Sequence, residues 1–165
     1  ARRMEPLRVS LFEQPTPRHD YEGLAEVRRN VTMPVMADDM VFDFEQAREC
    51  IRHDACDVIS IYPGKCGGIR KCRVIAAFAQ EHGVACSIGS NLEWDVASAA
   101  MCHLVVGTHN MRVEKYPGDV LGPMYHEFSV ARNPLRIEGP VIHCPEGPGL
   151  GVDVDWAVVE RNPAG

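Results

Sequence analysis

Glu13 and Asp38 stand 25 residues apart, and each closes a short apolar run. Leu7 to Phe12 runs into Glu13-Gln14-Pro15, and Val35-Met36-Ala37 runs into Asp38-Asp39. A carboxylate at the end of an apolar strand must be solvated, paired or metal-bound, because burying it alone is too costly. If the two runs are neighbouring strands of a parallel sheet, both carboxylates converge on one rim. All-oxygen ligands of that kind suit a hard cation such as Mg2+, whose charge offsets the cost of their burial. The competing reading makes Glu13 a solvated loop residue and Asp38-Asp39 the start of a turn.

Three further stretches bring polar groups to the ends of apolar runs. In "SIYPGKCGGIRK", Tyr62 and Lys65 are protonatable, and Gly67-Gly68 open a helix where a backbone nest or the lysine could hold an anion. In "SIGSNLEWD", Ser90 and Asn91 are candidate substrate contacts and Glu93 a candidate catalytic group, although Ser90 or Asn91 serves equally well as a helix cap. "EKYPGDVLGP" adds Glu114 and Asp119. Each residue alone is an ordinary loop residue. Together they make a rim of acid, base and donor groups, which is what an enzyme site requires. His103, His126 and His143 read as packing or surface histidines.

The elements that must position this rim alternate. Strands are expected at Leu7 to Phe12, Val35 to Ala37, Asp57 to Ile61 and Val84 to Ile88, with a weak fifth at Asn110 to Val113. Helices are expected at Tyr21 to Arg29 and Phe44 to Arg52, with Asp20 and Asp43 as N-caps. Two more are expected at Ile69 to His82 and Leu92 to Val106, each ended by glycine. Strand–helix units recurring about every 25 residues imply a parallel sheet with helices outside, and in such folds the carboxyl ends of the strands carry the chemistry. Residues 1–126 read as this α/β unit. Residues 127–165, with short strand-like pieces at Phe128-Ser129-Val130 and Val141-Ile142-His143, read as a tail capping it.

Composition narrows the functions. A net charge of −6 without a basic stripe speaks against nucleic acid, and no apolar run approaches the ~18–20 residues of a membrane span. The seven cysteines are odd in number and form no C-x-x-C pair, so they read as reduced thiols of a cytoplasmic protein. Five strands do not close an eight-stranded barrel, which takes ~250 residues. The chain is expected to be part of a longer protein.

In order and at their spacings, "LFEQP", "PVMADDM", "YPGKCGGI", "GSNLE", "GDVLGP" and "PGLGVDVD" resemble the enolase superfamily, specifically its mandelate racemase and muconate-lactonizing branch. The resemblance covers nearly the whole chain and implies the second half of a (β/α)8 barrel, strands four to eight. It implies Mg2+-assisted abstraction of a proton α to a carboxylate through an enediolate, with racemase, cycloisomerase or acid-sugar dehydratase outcomes. By the same resemblance Glu13 and Asp38 are metal ligands, Asp119 matches an acidic residue that contacts the small carboxylate substrate, Glu93 matches a family Glu and Lys65 the second lysine of the branch's base motif. On that resemblance Lys65, Asp119 and Glu93 join Tyr62 as the expected catalytic residues. The branch's catalytic lysine falls at Tyr62, which could act as acid or base or be inert. The third carboxylate ligand belongs to a strand outside this sequence, and Asp39 stands where the family has Glu. Further copies of the chain are expected partners of the full-length form. The alternative is a catalytically incompetent half-barrel serving as a structural or assembly unit, since the open edges of half a barrel promote association.

Overall fold

The computed structural model describes residues 1–163. Four parallel strands, β1 (Phe12–Glu13), β2 (Val35–Ala37), β3 (Val58–Ile61) and β4 (Ala85–Ile88), lie side by side in chain order. Between them run α1 (Tyr21–Arg29), α2 (Phe44–Arg52), the single turn α3 (Pro63–Cys66) and α4 (Ile69–Glu81), and α5 (Asp95–Val106) follows β4. The register is Phe12↔Val35 and Glu13↔Met36, then Met36↔Val58, then Ser60↔Ser87 and Ile61↔Ile88.

The helices start where the sequence provides acceptors. Asp20 accepts from Gly23 N at 2.9 Å, and Asp43 accepts from Gln46 N at 2.9 Å. Each bond satisfies a first-turn N–H that has no partner inside the helix. α3 begins with Pro63, whose fixed φ suits a first helical position, and ends at Gly67 with φ +78°, followed by Gly68 at φ +106°. Only glycine takes two such conformations in succession without strain, so this pair permits the sharp passage from α3 into α4.

Residues alternate between the two faces of the sheet. Val35, Ala37, Ile59 and Ile61 pack outward against Leu24, Ile75, Leu104 and other helix residues. On the inner face, Met36 and Val58 meet Tyr116 in a smaller apolar layer. Above that layer the small, buried Ser60 and Ser87 face each other in register, and a strand buried on both sides is the rule in parallel sheets.

Three expectations are corrected. Leu7 to Phe12 is not one strand: Arg2–Leu7 forms a 3-10 turn ended by Arg8 at φ +53°, and only Phe12 and Glu13 find a partner. Asn110 to Val113 shrinks to a single parallel bridge, Cys86↔Met111, because a strand with a neighbour on one side only has fewer bonds to hold it. Phe128 to Val130 is irregular, and the tail pairs through an Ala131↔Val154 bridge instead.

The tail also contains a hairpin, β5 (Ile137–Glu138) with β6 (Val141–Ile142), and α6 (Trp156–Arg161). It is pinned to the first turn of α5, where the fully buried Asp95 accepts from Ser129 Oγ at 2.9 Å and from Val130 N at 3.2 Å.

Candidate functional site

The parallel register of β1 and β2 carries Glu13 and Asp38 to the same rim. Gln14, next to Glu13, fixes the loop beyond β2: its Oε1 accepts from Asp38 N at 2.8 Å and from Met40 N at 2.9 Å. Sequence reasoning missed this residue, and its only signal was its place beside Glu13. The carboxyl of Glu13 is raised above its ordinary value, first by partial desolvation, then by the charge of Asp38, with Asp39 adding and Lys65 opposing. Two carboxylates that repel each other at a rim are a donor set in want of a cation.

Lys65 is brought to Asp38 by α3. Its side chain is 1% exposed, and its ammonium donates to Asp38 Oδ1 at 2.7 Å, to the Asp38 carbonyl at 2.9 Å and to the Ser60 carbonyl at 2.9 Å. An ammonium has three N–H bonds, and all three are used inside the protein. In this geometry Lys65 is bound to Asp38 and to the end of β3.

Tyr62 continues the inner face of β3 beyond Ser60. Its ring lies 4.8 Å from Lys65 Nζ, and its hydroxyl donates to Asn91 Oδ1 at 3.3 Å. Gly89, at the end of β4, makes room for it, since a Cβ there would stand 2.4 Å from Ser60 Oγ and 2.9 Å from Tyr62 Cε1. Burial, then the charges of Asp38, Asp39 and Glu93, drive the phenol far above its ordinary value. The direction favours the protonated phenol, which donates to Asn91.

The loop from β4 to α5 completes the rim. Glu93 Oε2 accepts from Asn91 N at 2.8 Å, while its Oε1 is buried without a hydrogen-bond partner and lies 3.2 Å from where a Cβ on Gly64 would be. Ser90 Oγ accepts from Leu92 N at 3.4 Å, and neither Ser90 nor Asn91 caps α5, whose N-cap is Trp94. Asp119 reaches the same place from the loop after the Cys86↔Met111 bridge. Asp119 N donates to Ile88 O at 3.3 Å, and its Oδ1 accepts from Leu121 N at 2.8 Å. Gly118 and Gly122 let that loop lie directly on Ile88 and Glu93.

Glu13, Asp38, Tyr62, Lys65, Asn91, Glu93 and Asp119 are therefore gathered at the carboxyl ends of the strands, with Ser90 at their edge. Glu114 is not among them: it is exposed and accepts from Arg112 at 2.6 Å. His126 stacks on Trp94 with ring centroids 3.6 Å apart, and His143 lies 3.2 Å from Glu138 Oε2, both in the tail. Among the described residues, no group of three or more His, Cys, Asp or Glu is arranged to hold a metal ion. The donor chemistry of Glu13 and Asp38 fits two positions of a hard cation's shell, and the other ligands are not in this set. All seven cysteines are free thiols, and among the described residues no helix is long and apolar enough to cross a membrane.

A parallel half-barrel whose carboxyl-end rim carries acids, a buried lysine and hydrogen-bond donors defines a (β/α)8 enzyme class. The chain belongs to the enolase C-terminal domain-like family, whose sequence model matches residues 1–158. Muconate cycloisomerase 1 of Rhodococcus opacus is 36% identical over 152 residues, 92% of this chain and 40% of that protein. Among solved structures, 2-chloromuconate cycloisomerase from Rhodococcus opacus superposes with TM-score 0.91 at 28% identity, covering 98% of this chain and 43% of the other. N-succinyl Arg/Lys racemase from Bacillus cereus gives TM-score 0.89 at 27% identity, covering 97% and 42%. The chain thus spans about two fifths of the length of the curated relatives it matches.

Proposed function

We propose that this chain forms the rim-bearing half of an enzyme that removes a proton α to the carboxylate of a small acid, for isomerisation, cycloisomerisation or elimination. Residues 1–126 supply the half-barrel and residues 127–165 a capping tail. The observation that carries this reading is the β1–β2 register, which sets the repelling carboxylates Glu13 and Asp38 side by side above the buried Lys65. The likeness to a muconate cycloisomerase and to an N-succinyl Arg/Lys racemase supports it.

Glu13 and Asp38 would hold Mg2+ together with ligands from outside this set. Bound there, Mg2+ supplies the positive charge that makes an α-proton of a carboxylate acidic enough to leave. The chain's own groups do the rest. Gln14 fixes the backbone of Asp38, and Lys65 takes its Oδ1 and leaves Oδ2 for other use. Tyr62 stays protonated and presents a donor beside Asn91. Glu93 Oε1, buried and unpartnered, is placed to accept from a substrate donor. The base that takes the proton is none of these.

The test joins this chain to the preceding part of the Rhodococcus opacus muconate cycloisomerase and incubates the chimera with Mg2+ in D2O. N-succinyl-arginine, N-succinyl-lysine and a panel of sugar acids serve as substrates. Deuterium should enter at the α-carbon of at least one, and Glu13→Gln should abolish it. No exchange on any of them by a folded, metal-bound chimera refutes the proposal.

A further inference from the structure

A second constellation of chemically able side chains lies away from the rim, where the tail crosses α5. His103, on α5, has Nε2 at 3.2 Å from the carbonyl of Leu150 and Nδ1 at 3.4 Å from the sulfur of Cys144. A backbone carbonyl only accepts, so Nε2 carries the ring proton and donates to Leu150 O. In the neutral ring Nδ1 is then the bare nitrogen and accepts from the Cys144 thiol. A nucleophile bonded to a base that a third group orients is the arrangement that activates cysteine. Both side chains are only half-buried, so the sulfur is reachable.

The thiol also lines a cavity of about 510 Å³ between α5, the loop after the Cys86↔Met111 bridge and the β5–β6 hairpin. That lies within the ~300–1,000 Å³ of small-molecule sites. Its walls include Ile88, Val105, Val113, Val120, Val141 and Ile142, and among the described residues no charged side chain lines it. An apolar, uncharged ligand suits such walls, because a charged one would lose its hydration without compensation.

We propose that Cys144, with His103 as its base, is a covalent capture site for apolar α,β-unsaturated carbonyl compounds, whose hydrocarbon tail enters this cavity. The thiol proton passes to His103 Nδ1 as the sulfur forms a bond to the β-carbon. The alkene's π electrons move into an enolate. The imidazolium returns the proton to the α-carbon, so a thioether forms and nothing leaves. The cavity's partial desolvation raises the Cys144 thiol above its ordinary value, which makes a base at the sulfur necessary at neutral pH. Cys102, the other cysteine on the cavity wall, is nearly fully buried and has no such partner among the described residues.

The test treats the reduced 165-residue chain, freed of reductant, with pentyl vinyl ketone and separately with acrylamide. Intact-mass kinetics and peptide mapping follow the products, with glutathione as reference thiol. Cys144 should take the label first, and its preference for the ketone over acrylamide should exceed that of glutathione at least tenfold. His103→Asn should slow labelling at least tenfold, the lower end of what a general base contributes being about 10²-fold before residual solvent catalysis. The proposal is overturned if Cys144 shows glutathione's own preference, if another cysteine is labelled first, or if His103→Asn reacts at the parental rate. The preference is measured on the unaltered chain, so it decides the matter even if a variant fails to fold.

Discussion

The two halves of the rim solve different electrostatic problems. At β1 and β2, Glu13 and Asp38 are like charges with one internal counter-ion, Lys65, which is paired with Asp38 and not with Glu13. At β3 and β4, Tyr62, Asn91 and Glu93 are joined by hydrogen bonds, and one carboxylate oxygen is left over. The first half is completed only by a cation from outside, and the second is nearly complete in itself. In the proposed function, that contrast separates the place for a metal ion from the place for a substrate. Lys65 belongs to both, bonded to Asp38 on one side and lying against the Tyr62 ring on the other.

Removing that shared group should have the largest effect. Lys65→Met leaves Asp38 without its counter-ion and two carbonyls without a donor, and breaking a buried pair from one side costs about 3–5 kcal/mol. Urea denaturation of the variant should show a loss of that size, and an unchanged midpoint would mean the halves are independent. Next comes Gly89→Ala, which drives a methyl into Ser60 and Tyr62. Overpacking of this kind costs about 1–3 kcal/mol. The near-ultraviolet circular dichroism of tyrosine should change with it, while divalent-ion binding at the β1–β2 half should not.

Tyr62→Phe is smaller. It removes one long hydrogen bond, to Asn91, which is worth about 0.5–1.5 kcal/mol. The ring stays over Lys65, so the melting temperature should fall by only a few degrees and Mn2+ binding should be retained. Loss of the metal with the hydroxyl would erase the distinction between the halves.

Glu13→Gln tests the charge problem through its sign. The carboxyl is raised in the folded protein, so its contribution to stability is present at low pH and lost as pH rises through the folded-state value, from the ordinary carboxylate range upward. The amide removes that loss. Without divalent ions the variant should be slightly more stable than the parent at pH 7, and its stability should change less with pH on the acid side. Added Mg2+ should stabilise the parent and not the variant, and a chelator should reverse the effect. A parent indifferent to Mg2+ would leave the repulsion without a purpose.

Much of this was legible in the chain order of residue types. Helix starts at Asp20 and Asp43 depend on a side chain three residues from its partner, so sequence alone locates them. Parallel strands in chain order bring strand ends together, so the gathering of Glu13, Asp38, Tyr62, Glu93 and Asp119 also followed from the alternation of elements and from the family resemblance. Strand lengths did not, because Leu7 to Phe12 and Asn110 to Val113 have strand-like composition but lie at sheet edges, where pairing is set by neighbours. Only the tertiary structure decided what the gathered groups do. The three N–H bonds of Lys65, and the burial and three nearby carboxylates of Tyr62, are visible only in space. His103 and Cys144 are 41 residues apart and meet because the tail folds back over α5. A protonation state and a hydrogen-bond partner depend on distances in space, and residue spacing along the chain sets those only within an element.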